Sequence, residues 1–261
     1  MINIVKSDIV RMLKSKSFWI TLVAFLSLFV AIIFMQNSSQ NGTVFDATNG
    51  GREEGLYITV DTIVKSFNSF VTTFGYSFGL LFLGIYLSIF ICNEYSSGYI
   101  KNIATLNNGR ISIIIAKIVV AIVLILLMLV SCYGLSFVVG MMIVDGFEIE
   151  TITTIFKSIL TMFLHALATF SLITFVATLF KSKVAAIIVN FLIASGMLLP
   201  VINTVFDLLN VSFLSKYTLT HFLMTFDLLT GDVLVKMMIV CIVYILVYNI
   251  LSVIIISKRD L

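Results

Sequence analysis

E-Y-S-S-G-Y-I-K-N-I-A-T-L-N-N-G-R, residues 94–110, is a polar island between two very apolar runs, 71–92 and 111–144. Either run is long enough to cross a bilayer, since about 20 helical residues span the hydrocarbon. Inside the island Tyr99, Ile100, Ile103 and Leu106 fall at i, i+1, i+4 and i+7, the spacing of one helical face. Lys101, Asn102 and Thr105 fall on the opposite face. Asn107-Asn108-Gly109 supplies residues that tolerate a left-handed turn and so ends the helix. A helix this short is unstable by itself. It must dock on something, and its apolar face marks where.

Composition sets the fold class as an all-α integral membrane protein. The chain is 60% hydrophobic and 11% charged, with a mean hydropathy of +1.16. Soluble domains run at about 45–50% apolar and about 25% charged. One Pro and 23 Phe agree with a bundle of long helices. Cys92, Cys132 and Cys241 each lie in or beside an apolar run without metal-like spacing, which argues against both a disulfide framework and a metal site.

In chain order, residues 1–16 read as an amphipathic elbow helix in the headgroup plane. Val5, Ile9, Met12 and Leu13 share its apolar face, and Lys6, Ser7, Arg11 and Lys14 lie away from it. The first span is 17–35; its apolar run is too long for a signal-peptide core, and no small-x-small site precedes Gln36. Residues 36–66 form an outer loop with Asp46, Glu53, Glu54 and Asp61, and a short helix is expected near 57–65. Glu53-Glu54 lacks the following Arg and the apolar setting of an intramembrane protease, so that chemistry is rejected.

The second span, 71–92, carries Gly75-x-x-x-Gly79, small residues that let helix backbones approach, within one subunit or across a seam. The third lies within 111–144, and Lys117 near its start is expected to snorkel to the inner headgroups. After an acidic outer turn at 145–150 come the fourth span, 152–180, and a basic turn, Lys181-Ser182-Lys183. The fifth span, 184–206, contains Gly196 and Pro200, which should bend or end it near its outer end. The sixth is 233–257.

Six spans put both termini on one side. That side holds eleven Lys/Arg and three Asp/Glu, against five and ten on the other. The positive-inside rule therefore places both termini, and the island, in the cytoplasm.

Glu94-x-x-x-Gly98-Tyr99-Ile100-Lys101, closing one span and followed by an Arg that opens the next, resembles the permease subunit of ABC-2-type transporters. Tyr99 stands where many members have Thr. The resemblance extends over the whole chain as an order of segments, but only this island is motif-like. It implies that Glu94, Gly98, Tyr99, Ile100, Lys101, Ile103 and Leu106 form the cytoplasmic coupling segment that fits a groove on an ATPase subunit. It also implies re-entrant or interfacial outer helices between 207 and 232, and a second permease subunit, identical or related. The setting it implies is the bacterial cytoplasmic membrane, with lipid and not nucleic acid around the chain.

Residue chemistry is consistent with that division of labour. No G-x-x-x-x-G-K-[ST] phosphate loop occurs in these residues, so ATP and Mg are expected on the partner subunit and no catalytic or metal-binding residue is assigned here. Glu94 is expected to accept donors from the backbone or from Ser96 and Ser97 at the helix entry. His165 and Asn190 are the candidates for a substrate path, with hydrogen bonding to a neighbouring helix as their competing role. A stand-alone secondary transporter or channel is the alternative, yet a coupled carrier usually needs a mid-membrane carboxylate and no Asp or Glu lies deep in a span. Substrates implied by the resemblance are peptides or other amphipathic molecules, including the lantibiotics expelled by bacteriocin-immunity systems.

Overall fold

Fully apolar runs in lipid must satisfy every backbone polar group internally, and helices do so within a single segment. The computed structural model describes residues 2–40, 67–105, 109–143, 147–225 and 232–258. The elements are α1 (Ile2–Lys14), α2 (Lys16–Gln40), α3 (Phe67–Phe70), a π-helical turn (Val71–Gly75), α4 (Tyr76–Ser96), α5 (Tyr99–Ala104), α6 (Gly109–Ile143) and α7 (Ile152–Phe180). Then follow α8 (Lys183–Ala194), α9 (Leu198–Leu208), a 3-10 helix (Ser212–Tyr217), α10 (Leu219–Met224) and α11 (Asp232–Lys258). The protein is an all-α integral membrane protein; among the described residues five helices are long and apolar enough to cross a bilayer, or six passes if α8 and α9 count as one. Most of the expected outer loop, Leu106, Asp145 and the tail beyond residue 258 lie outside the described residues. Residues 36–40, expected in that loop, instead continue α2.

The expected fifth span is broken in two, at one of the two residues expected to bend it. α8 has 12 residues, roughly 18 Å of helix, which is short of the ~30 Å hydrocarbon. α9 then turns away by 84°. The break is at Ser195-Gly196-Met197, where Gly196 adopts a φ of +72° that other residues rarely tolerate. Pro200 is not the cause: it sits in the first turn of α9, where its missing N–H has no intrahelical partner to lose.

Packing follows from where small residues stand. Phe18, Phe25, Phe29 and Ile33 form the buried stripe of α2. Gly75 and Gly79 open α4 to that stripe: a Cβ at Gly75 would meet Phe29 and Cys132, and one at Gly79 would meet Met128 and Phe25. The Gly-x-x-x-Gly pair therefore serves packing within the subunit. A Cβ at Gly84 would lie 2.1 Å from Asn190 Oδ1, so α4 and α8 touch only because this position has no side chain. Along α7, hydroxyls that would be orphaned in an apolar bundle donate to carbonyls one turn back: Thr161 to Lys157, Thr169 to His165, Ser171 to Leu167 and Thr174 to Phe170.

Polar groups gather at the two ends of the bundle. At one end Asn68 is saturated: its N–H meets the Glu150 carboxylate at 2.9 and 3.1 Å, its amide donates to Ser158 Oγ, and Tyr133 donates to its Oδ1. At the other end Arg110, opening α6, donates to the carbonyl of Ser257 near the end of α11. Lys181, closing α7, lies 5.7 Å from the ring of Tyr95 in α4. α6 is 35 residues, roughly 50 Å, which is longer than the hydrocarbon is thick.

Candidate functional site

The second end holds four charged side chains in contact. Lys117 Nζ lies 2.5 Å from Asp8 Oδ2 and 2.5 Å from the Glu94 carboxylate. Arg11 reaches Asp8 Oδ1 at 2.7 Å and also bonds Glu94 Oε1. Asp8, Glu94 and Lys117 are 1, 3 and 2% exposed, whereas Arg11 is 34% exposed and forms the wet edge of the cluster. Two cations and two carboxylates balance, which is what permits charges to be buried here at all.

Aromatic rings close the remaining sides. The Arg11 guanidinium lies 3.8 Å from the centroid of Tyr99 and 5.4 Å from that of Phe90, and Lys117 Nζ is 4.9 Å from Phe90. Tyr99 donates within 3.3 Å of Asp8 Oδ1 and of Ser7 Oγ. Burial raises the Tyr99 phenol above its ordinary value, so it stays protonated and remains a donor. The cluster thereby pins together α1, the end of α4, α5 and the start of α6.

This geometry corrects three expectations. Lys117 does not snorkel: Asp8 and Glu94 are charged partners closer than any headgroup, and withdrawing Lys117 would leave both buried without it. The Glu94 carboxylate does not cap α5 through Ser96 or Ser97; those hydroxyls donate to the backbone carbonyls of Asn93 and Glu94. Nor does Arg11 point away with Lys6 and Lys14. α1 lies against α6 with Asp8 and Met12, one turn apart, facing the bundle.

Gly98 supplies the turn between α4 and α5, with a φ of +71°. After it, Ile100 and Ile103 are buried against Ile113, Ile114 and Ile256, with Tyr99, Tyr95 and Val253 packed around them. The short helix thus docks on its own chain, at the start of α6 and the end of α11. Lys101, Asn102 and Thr105 face out.

His165 and Asn190 are brought into packing contacts. His165 is fully buried, its Nε2 2.9 Å from the Leu219 carbonyl and its Nδ1 2.7 Å from the Tyr76 hydroxyl. It ties α7 to α4 and to the first residue of α10. Asn190 Nδ2 donates to the Leu81 carbonyl at 2.8 Å. Both residues are fully buried in this conformation. Both meet α4 ahead of Glu94, at Tyr76 and Leu81, and among the described candidates it is the island residues that are brought together.

A family model for ABC-2 family transporter proteins matches residues 4–196. The chain belongs to that family. The matched span takes in α1 from its first turn, the charge cluster, α5 and all of α8, and it stops at the Gly196 bend. Among curated proteins none matches this ABC-2 family chain. As an ABC-2-type permease it is the membrane component of a transporter and not itself the ATPase. Of the four charged members, sequence reasoning assigned only Glu94 to the site; Arg11 and Lys117 were given other places, and Asp8 was missed altogether. Its only signal was a lone acid among Lys6, Arg11, Lys14 and Lys16, at the one-turn spacing from Met12.

Proposed function

We propose that this chain is the membrane subunit of an ATP-driven exporter. In that reading it works with separate ABC ATPase subunits and a second permease copy, identical or related. It moves a peptide or other amphipathic molecule out of a bacterial cytoplasmic membrane. One observation carries the reading. The segment expected to receive the ATPase, α5, meets through Tyr99 the cluster of Asp8, Arg11, Glu94 and Lys117 that joins the elbow to α4 and α6. Force applied to α5 passes to α1 through Tyr99 and to α6 and α11 through Ile100 and Ile103. Among the described residues the two buried carboxylates, Asp8 and Glu94, lie at this end and not at mid-span, which speaks for coupling and against ion-driven transport.

The test is hydrolysis by parts. The purified chain alone should turn over no MgATP, and the chain with its ATPase subunit should do so at a rate that depends on both. Turnover by this chain alone, surviving removal of contaminating ATPases, sinks the proposal.

Orientation follows from the lysines and is tested separately. The end bearing Lys6, Lys14, Lys101, Lys181 and Lys183 should face the cytoplasm. In a cysteine-free background, Ser182→Cys should resist an impermeant thiol reagent in intact cells and react after lysis, whereas Thr153→Cys, at the opposite end of α7, should react in intact cells. Labelling of position 182 from outside overturns the orientation.

A further inference from the structure

We infer that the partner surface receiving the coupling segment is acidic and polar, not an apolar groove; this rests on the ATPase reading above. The apolar side of α5 is already occupied. Ile100 and Ile103 are spent on Ile113, Ile114 and Ile256 of the same chain, and a second apolar partner would have to displace them. Between residues 93 and 105, what the described residues leave fully exposed is hydrophilic: Asn93, Ser96, Ser97, Lys101, Asn102 and Thr105.

Among the described residues the charge exposed at this end is one-sided, and the cluster is the reason. Asp8 and Glu94 are buried and matched to Arg11 and Lys117, so they contribute no field to the surface. Exposed at the same end are Lys6, Lys14, Lys16, Lys101, Lys181, Lys183 and Lys258. Among the described residues no exposed carboxylate accompanies them. A surface carrying only positive charge attracts a negative partner over about a Debye length and repels a basic one. Lys101 is the lysine carried by α5 itself, so it is the one that a docked protein must meet. Lysines at helix ends, such as Lys14 and Lys16 between α1 and α2, are placed for lipid headgroups instead.

The experiment uses the full chain in nanodiscs of phosphatidylcholine, a lipid without net charge. The probe is the ABC ATPase subunit that co-purifies with the wild-type chain and is identified by its own phosphate-binding loop. Association is timed at about 0.1 M and about 1 M salt, where the Debye length falls from about 10 to about 3 Å. Lys101→Glu should slow association about tenfold at the lower salt, Lys101→Gln by less, and both differences should close at the higher salt. Both variants should melt like the wild type, because Lys101 is exposed. Association that ignores both the substitution and the salt, in a complex that still forms, overturns this inference and leaves the ATPase reading standing. A defect seen only in phosphatidylglycerol nanodiscs also overturns it and assigns the basic face to lipid. If no complex forms with the wild-type chain, the ATPase reading falls and takes this inference with it.

Discussion

Lys117→Met should destabilise the isolated chain by about 3–5 kcal/mol, the usual cost of removing one partner from a buried ion cluster. The substitution keeps the length of the side chain, so little is lost in packing. What is lost is the charge that Asp8 and Glu94 share at 2.5 Å. Arg11 remains, but it is at the edge of the cluster and cannot neutralise two carboxylates. Adding Glu94→Gln restores the balance, one cation against one carboxylate, and should recover most of the loss. The measurement is thermal unfolding in nanodiscs for the wild type, both single variants and the double variant, read as a cycle. A double variant as unstable as the sum of the singles would show that the two residues do not share a site. A single Lys117→Met variant as stable as the wild type would show that the cluster is solvated and not buried.

Ile103→Asp is the second large effect, and it should appear in this chain without any partner. Ile103 is buried beside Ile100, Ile113, Ile114 and Ile256. Losing an Ile from such a site costs about 1.5–3 kcal/mol. Placing a carboxylate there adds a desolvation penalty of several kcal/mol, which the coupling segment avoids by coming off the bundle. Limited proteolysis should then cut within residues 99–105 much faster than in the wild type, while the helices α2, α4, α6 and α7 stay intact. Ile103→Val, which removes one methylene, should cost only about 1 kcal/mol and serves as the control. If Ile103→Asp resists protease like the wild type and fails only in complex formation, the face belongs to the partner and the internal cluster is misassigned.

Much of this architecture was legible in the sequence for a simple reason. Runs such as 111–144 have no other stable state than a buried or lipid-facing helix, and the Ile100–Ile103 spacing is a local feature. What was not legible depends on contacts distant in the chain. Asp8 and Lys117 are 109 residues apart, and no local pattern announces that an acid in the elbow meets a lysine in a span. Read alone, Lys117 near a helix start is a snorkelling lysine; read beside Asp8 and Glu94, it is the centre of a cluster. The same reasoning accounts for α5. Periodicity identified its apolar face correctly but could not say whether that face meets another subunit or the chain's own α6 and α11. Likewise Gly196 and Pro200 both signal a break, and only the backbone shows that the bend falls at the glycine.

The account's central claim is that the charge cluster carries motion from α5 into the membrane helices. The most direct test places spin labels at Ser27→Cys in α2 and Thr153→Cys in α7, both exposed and both outside the cluster, in a background lacking the three native cysteines. The distance between the labels is measured in the complex with the ATPase subunit, before and after trapping with ATP and vanadate. With the native cluster, trapping should shift the distance distribution. In the charge-balanced Lys117→Met, Glu94→Gln chain the complex should still form and hydrolyse ATP, but the distribution should stay where it was. A shift of full size in that variant would contradict the claim.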